Sequence, residues 1–304
     1  MLAFIYPNVN RFLSSFIILR KNGSFKALND ISVNLEPNKI YGLLGRNGAG
    51  KTTLLNILSS KIFPSTGQSR VFGQHVYENV DILKQICIIE EKGFYDSSMK
   101  IWQALELASG LYPNWDQEYA KSLLDLFELD KKKKYKQLSR GMESSLGLII
   151  GLASRAPLTI FDEPSLGLDA VLRERFYEAV IEDYTKHPRT IIISTHLIDE
   201  VSRLFEDVII IDSGNILLKA NATDLKEKAY YISGQGAVVR EIAKDAIIMH
   251  EESFGNTLIL SVYTESGLGT EESADIQSMP LQKLFVHLIN PNIHETLKKG
   301  DVIQ

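Results

Sequence analysis

Gly45-Arg46-Asn47-Gly48-Ala49-Gly50-Lys51-Thr52 fits the pattern G-x-x-x-x-G-K-[ST], and the rest of the chain is read outward from it. The apolar run Ile40–Leu44 leads into this stretch and a helical segment, Lys51 to Ser60, leaves it. A glycine-rich turn between a strand and a helix is the setting in which such a loop binds phosphate. Gly45, Gly48 and Gly50 let the backbone curl so that its N–H groups point inward, with Asn47 in the same cradle. The helix N-terminus adds partial positive charge. Lys51 supplies a full charge for β- and γ-phosphates. The Thr52 hydroxyl is placed to ligate Mg²⁺, and Thr53 can bond an α-phosphate oxygen. Kinases, GTPases and many ATPases share such a loop, so the choice among them lies elsewhere.

Downstream, Leu158-Thr159-Ile160-Phe161-Asp162 reads as a buried strand ending in a carboxylate, with Glu163 next. Ligands bind at the carboxyl ends of such strands. There Asp162 can hold the Mg²⁺ hydration shell, and Glu163 can polarise a water in line with a γ-phosphate. Taken alone, Asp162-Glu163-Pro164 could equally be a turn leaving a strand. Three further stretches accompany it: Leu138-Ser139-Arg140-Gly141-Met142 before it, Gly167-Leu168-Asp169 after it, and His196 beyond the apolar run Ile191–Ile193. His196 by itself reads as a polar loop residue.

At these residues the chain resembles the ATP-binding cassette family. The resemblance spans roughly residues 25 to 220 and rests on the order and spacing of several motifs together. Walker A is the loop at Gly45, the signature (usually LSGGQ) is Leu138–Met142, and Walker B is Leu158–Asp162. The resemblance implies Glu163 and His196 as catalytic, Asp169 in the D-loop, and ATP with Mg²⁺ as ligands. It further implies two cassettes packed head to tail, with Ser139 and Gly141 of one covering the γ-phosphate held by the other. The partners are then a second cassette, identical or different, and an integral-membrane subunit, at the cytoplasmic face of the membrane. The implied fold is α/β: a RecA-like parallel sheet with an antiparallel β subdomain and a helical signature subdomain.

The chain departs from the family pattern in places. Where a glutamine normally follows the strand Ile86–Ile89, Glu90-Glu91-Lys92 stands, and Glu91 is the best match. A carboxylate there can approach Mg²⁺ or its water, and a solvated acidic loop is the other reading. The slot of the adenine-stacking aromatic holds Asn22, leaving Phe25 or Phe16 as substitutes. Arg140 and Met142 replace a glycine and a glutamine of the signature. The run Lys131–Lys134 with Lys136 reads as a solvated linker, anionic lipid being the alternative. Leu111-Tyr112-Pro113-Asn114-Trp115-Asp116 resembles exporter ATPases of the bacitracin-resistance type and a group encoded beside GntR-type regulators, which includes exporters of antimicrobial or cytolytic peptides. The same stretch also suits a helix cap, with Asp116 at the cap and Trp115 packing under it.

The 304 residues suit one large and one small domain, and the boundary is placed near Asn221: a cassette over 1–221 and a small α+β accessory domain over 222–304. In the latter, Asp224–Lys228 and Val238–Ala243 read as helices, and Tyr230–Ile232, Ile247–Met249 and Leu258–Val262 as strands. Gly267–Ser278 reads as a polar loop, and Leu281, Leu284, Phe285 and Leu288 as one face of a last helix. Upstream, Phe16–Leu19 and Ile31–Leu35 are strand candidates, and Val208–Ile211 with Ile216–Leu218 is a hairpin. A net charge of −5 and a pI near 5.8 give no field for nucleic acid. One cysteine, Cys87, excludes an internal disulfide framework. No run reaches the roughly 18–20 apolar residues that span a bilayer, and Met1–Leu19 lacks the pattern of a signal peptide. The competing class, a soluble cassette ATPase acting on ribosomes or DNA, usually has two phosphate loops or a long coiled-coil insert. Neither is in this sequence.

Overall fold

The computed structural model describes residues 26–90, 96–265, 267–268, 273–290 and 293. In chain order the first elements are β1 (Ile40–Leu44), α1 (Lys51–Leu58), a short hairpin of β2 (Arg70–Val71) and β3 (Gln74–His75), α2 (Val80–Leu83) and β4 (Ile86–Ile89). Then come α3 (Ile101–Leu111), α4 (Gln117–Leu126), α5 (Arg140–Ala153), β5 (Leu158–Asp162), α6 (Ala170–Lys186), β6 (Thr190–Thr195), α7 (Ile198–Val201), β7 (Asp207–Asp212) and β8 (Asn215–Asn221). One sheet of order β4-β5-β6-β1-β7-β8 gathers the strands, parallel throughout except for the β7–β8 hairpin.

Continuous apolar strands follow from burial on both faces. Along β6, Ile191 and Ile193 join the core shared with Ile149, Phe161 and Phe176, while Ile192 joins the opposite core with Leu54, Leu55 and Ile160. Each such side chain contributes about 1.5–3 kcal/mol on leaving water. Ile31, Val33 and Leu35 are buried in alternation beneath the second core. Among the described residues only Val33 there carries a β-bridge, so this stretch packs like a strand without being one. Phe16–Leu19 lies outside the described residues.

The helical insert α3–α5 stands between β4 and β5. Asp116 caps α4, accepting from the Tyr119 N–H at 2.9 Å, and Arg155 pairs with the same carboxylate at 3.0 Å. Those bonds hold the Asp116 carboxyl below its ordinary range. The first N–H groups of α3 donate to the carbonyls of Lys131 and Lys133, so the lysine run closes a helix end with its backbone while its side chains face solvent. Sequence periodicity passed over α3 because Trp102, Leu107 and Leu111 are exposed and blur its apolar stripe.

After Asn221 come α8 (Ala222–Lys228), β9 (Ala229–Gln235), α9 (Gly236–Ile242), β10 (Ile247–Phe254), β11 (Thr257–Tyr263), β12 (Asp275–Ser278) and α10 (Leu281–Leu288). The four strands form an antiparallel sheet of order β10-β11-β9-β12. The polar segment expected to be a loop over 267–278 therefore ends in a strand: Asp275–Ser278 pairs with Ser233–Tyr230. As an edge strand it is held by backbone pairing and needs little apolar sequence. One side of this sheet closes a small core of Ile232, Val239, Leu258, Leu260 and Val262. On the other side Leu281, Leu284, Phe285 and Leu288 join the large core at Ile198, Val201 and Phe205. Asp199 Oδ1 accepts from the Gln282 N–H at 3.1 Å. The C-terminal helix thus rests on α7. Among the described residues no helix is long and apolar enough to cross a membrane.

His287 of α10 stacks on His250 of β10, ring centroids 5.7 Å apart, and His250 also meets Glu252 at 3.0 Å. Burial, then His250, then Lys283 lower the His287 pKa. The unfolded chain therefore takes up the proton first, and the contribution to stability is complete above the ordinary histidine value and falls as the pH drops through it. The urea midpoint of the wild type is expected to fall more than that of His287→Gln between pH 7.5 and 5.5, to be read by far-UV circular dichroism. Equal falls would remove His287 as the cause.

Candidate functional site

The loop at Gly45 leaves β1 at its carboxyl end and opens α1. Gly50, with φ 113°, caps that helix without a side-chain bond, and the first turn holds no acidic residue. Its N–H groups are left for an anion. A Cβ at Gly50 would stand 2.7 Å from Leu28 Cδ2 and 2.9 Å from the Ala27 carbonyl, so glycine is required by space as well as by φ. Gly45 is buried, while Arg46, Asn47 and Gly48 are exposed at the turn. Thr52 is exposed and Thr53 half-buried on the first turn of α1.

β5 and β6 bring their carboxyl ends beside this loop. Lys51 Nζ donates to the carbonyl of Gly45 at 2.8 Å and stands 3.4 Å from Glu163 Oε1. Thr52 Oγ1 donates to Asp162 Oδ2 at 2.8 Å. Glu163 Oε2 meets His196 Nδ1 at 2.8 Å. Lys51, Thr52, Asp162, Glu163 and His196 therefore form one connected polar corner built from three strand ends. Lys51 and Asp162 are buried, and the corner opens to solvent at His196 and Thr52. Glu163 has φ 52°, a left-handed conformation that costs a non-glycine residue free energy and commonly marks a functional position.

A hydroxyl and a carboxylate 2.8 Å apart are hard oxygen donors suited to Mg²⁺. Among the described residues no group of three or more His, Cys, Asp or Glu could hold a metal. Mg²⁺ beside phosphates is commonly held by one or two protein oxygens, and among the described residues Thr52 and Asp162 offer such a pair.

Ser139, Gly141 and Asp169 lie apart from the corner. Ser139 caps α5, accepting from the Met142 N–H at 3.3 Å, and Asp169 caps α6, accepting from the Leu172 N–H at 2.9 Å. Both are exposed. The start of α5 rests on the loop that follows Glu163: Ser144 Oγ donates to the Leu166 carbonyl at 2.6 Å. A Cβ on Gly141 would stand 2.6 Å from the Gly167 carbonyl oxygen. Glu91 lies outside the described residues, as do Asn22, Phe16 and Phe25. Its neighbour Glu90 pairs with Lys61 at 2.6 Å.

Sequence reading missed Ser194, the last-but-one residue of β6. Its hydroxyl donates to Asp162 Oδ1, and its carbonyl accepts from the Glu163 N–H at 3.0 Å. The available signal was a polar residue ending an apolar run one strand over from Asp162. Gly167 carries no signal of its own in the sequence, yet its φ of 83° and its contact with Gly141 place it at the seat of α5.

Gly141→Ala must displace backbone, because the atom in its way is a carbonyl oxygen. A loss of about 1–3 kcal/mol of stability is expected, the scale of overpacking, measured by urea unfolding against the wild type. An unchanged midpoint would show that α5 can shift freely on the Gly167 loop.

A profile described as "ABC transporter" matches residues 28–166. The bacitracin transport ATP-binding protein BcrA of Bacillus licheniformis is 29% identical over 273 residues, 87% of this chain and 86% of that one. The lantibiotic transport ATP-binding protein SrtF of Streptococcus pyogenes is 31% identical over 199 residues, 65% of this chain and 85% of the relative. Among solved structures, a dimeric ATP-binding cassette in a post-hydrolysis state with ADP and Pi aligns with TM-score 0.61 at 19% identity, covering 69% of this chain and 98% of that one. That likeness is one of fold, and it agrees with the parallel sheet and phosphate loop described above. The chain belongs to the ABC transporter family, as one of its ATP-binding, ATP-hydrolysing subunits.

Proposed function

We infer that this chain is the ATPase subunit of a bacterial exporter, working at the cytoplasmic face of the membrane through a separate membrane-spanning subunit. The observation that carries the reading is the single polar corner joining Lys51, Thr52, Asp162, Glu163 and His196. Lys51 and the N–H groups of the loop bind the phosphates of ATP. Thr52 and Asp162 are the oxygens that would hold Mg²⁺, and the ion, when bound, neutralises charge on the β- and γ-phosphates. Glu163 takes the proton of the attacking water as general base, and His196 orients the Glu163 carboxylate to which it is bonded. Glu91 is assigned to the same site by motif alone.

Ser139 and Asp169 are exposed and Gly141 half-buried at helix starts that make no bond to this corner, which fits groups offered to the nucleotide of a second cassette packed head to tail. Exposed Trp102, Leu107 and Leu111 on α3, beside a shallow groove with Met99 and Gly110, suit docking to the membrane subunit. Residues 222–304 act as an accessory unit that buttresses α7 and contributes no group to the chemistry. The exported substrates are peptides of an amphipathic, membrane-active kind, a reading supported by the transport names of BcrA and SrtF.

Glu163→Gln is expected to bind ATP while hydrolysis falls by about 10²–10⁴, the scale of a general base. In light scattering that variant should pair with ATP and remain single without it. Near-normal turnover would overturn the role of Glu163. Lys51→Ala should instead weaken binding of a fluorescent ATP analogue, and unchanged affinity would count against the phosphate cradle. For the substrate class, a bacterial strain lacking this chain should be more sensitive than its parent to membrane-active peptides. The wild-type gene should restore resistance where Glu163→Gln does not. Equal sensitivity of parent and deletion would remove the peptide reading while leaving the ATPase untouched.

A further inference from the structure

β6 ends its apolar run with two hydroxyl residues, Ser194 and Thr195, both wholly buried. Buried hydroxyls need partners, and these partners differ. Thr195 Oγ1 accepts from the Leu197 N–H at 2.9 Å, closing the turn that carries His196. Ser194 faces Asp162 in the parallel register of β5 and β6. Its hydroxyl donates to Asp162 Oδ1 and its carbonyl accepts from the Glu163 N–H. One residue thus touches both consecutive acidic residues, through its side chain to the first and its backbone to the second.

The consequence for Asp162 is geometric. A carboxylate turns about its last torsion in a broad well, so burial alone does not set which oxygen faces outward. Here Ser194 occupies Oδ1 from β6, and Oδ2 is left for Thr52 at 2.8 Å. Two hydroxyls on two different oxygens, one from β6 and one from α1, fix the plane of the group. We propose that Ser194 is a positioning residue for the divalent-cation site: by holding Oδ1 of Asp162 it keeps Oδ2 turned toward Thr52 and the phosphate loop, and so sets the affinity for Mg²⁺. The proposal rests on the reading of Thr52 and Asp162 as the protein's oxygens for that ion. Partners that orient a metal ligand without touching the metal commonly change its affinity 10–100-fold.

The test uses the full chain and Mn²⁺ as probe. Free Mn²⁺ is followed by its EPR signal in the presence of ADP, with a nucleotide-only titration subtracted. Ser194→Ala should raise the half-saturating Mn²⁺ concentration by about 10–100-fold. Its affinity for a fluorescent ADP in EDTA should stay at the wild-type value, because the phosphate loop does not need the ion to bind. Ser194→Thr retains the hydroxyl and should restore most of the Mn²⁺ affinity. A Ser194→Ala protein with wild-type Mn²⁺ affinity, beside an Asp162→Asn protein that has lost it, would overturn the proposal and leave the cation site in place. Wild-type Mn²⁺ affinity in both variants would overturn the site reading and the proposal with it. Weakened ADP binding in EDTA for Ser194→Ala would show a merely structural role. So would a Ser194→Thr protein that is folded by circular dichroism yet not rescued.

Discussion

Parallel pairing of β1, β5 and β6 is the constraint on which the rest depends. Their shared direction puts three carboxyl ends at one rim of the sheet, and their register decides which residues meet there. Asp162 lies opposite Ser194, while Leu44, the last residue of β1, lies opposite Thr195. A one-residue slip would turn every side chain of a strand to the other face. It would exchange the two apolar cores and carry Asp162 away from Thr52 together. The strands therefore cannot be repacked without moving the chemistry, which is why residues as plain as Ile191, Ile192 and Ile193 matter to the site.

Around that rim the molecule is layered by purpose. The insert α3–α5 carries Ser139 and Gly141 on a helix seated against Gly167. The C-terminal sheet and α10 press on α7, the helix that directly follows the His196 turn. On its other side α7 is tied to α6, where Arg173 bonds to the carboxylate of Glu200. The short helix of four residues has little stability of its own, since so few residues cannot sustain a helix in water. It is held by what flanks it. The helix that follows the His196 turn thus packs against an element far along the chain.

Much of this was legible in the amino-acid sequence, for reasons that can be named. The phosphate loop, Asp162, Glu163 and His196 sit at strand ends whose apolar runs are buried on both faces, and such runs stand out. Their meeting in one corner was implied by family resemblance and is visible in the bonds. Ser194 was not legible, because a serine ending an apolar run carries no pattern until the facing strand is known. Nor was β12, where backbone pairing replaces apolar side chains, or α3, whose exposed Trp102 and Leu107 break the stripe that marks a helix. The alternation of Ile31, Val33 and Leu35 marks a strand candidate, yet of these only Val33 carries a bridge, since period two reports which side faces the core and not whether a neighbour is bonded.

The contact between Lys51 and Glu163 has one more consequence. A cradle built for a polyanion would, with no guest, hold an unbalanced positive charge in a pocket that screens it poorly, and any small anion could lodge there. Here the chain supplies its own occupant: the Glu163 carboxylate stands against the Lys51 ammonium at 3.4 Å. A phosphate that enters must outcompete a tethered acid for the same cation. In the mechanism proposed above, Glu163 then becomes available for the proton of the attacking water only once phosphate has displaced it from Lys51, an interlock made from a single ion pair.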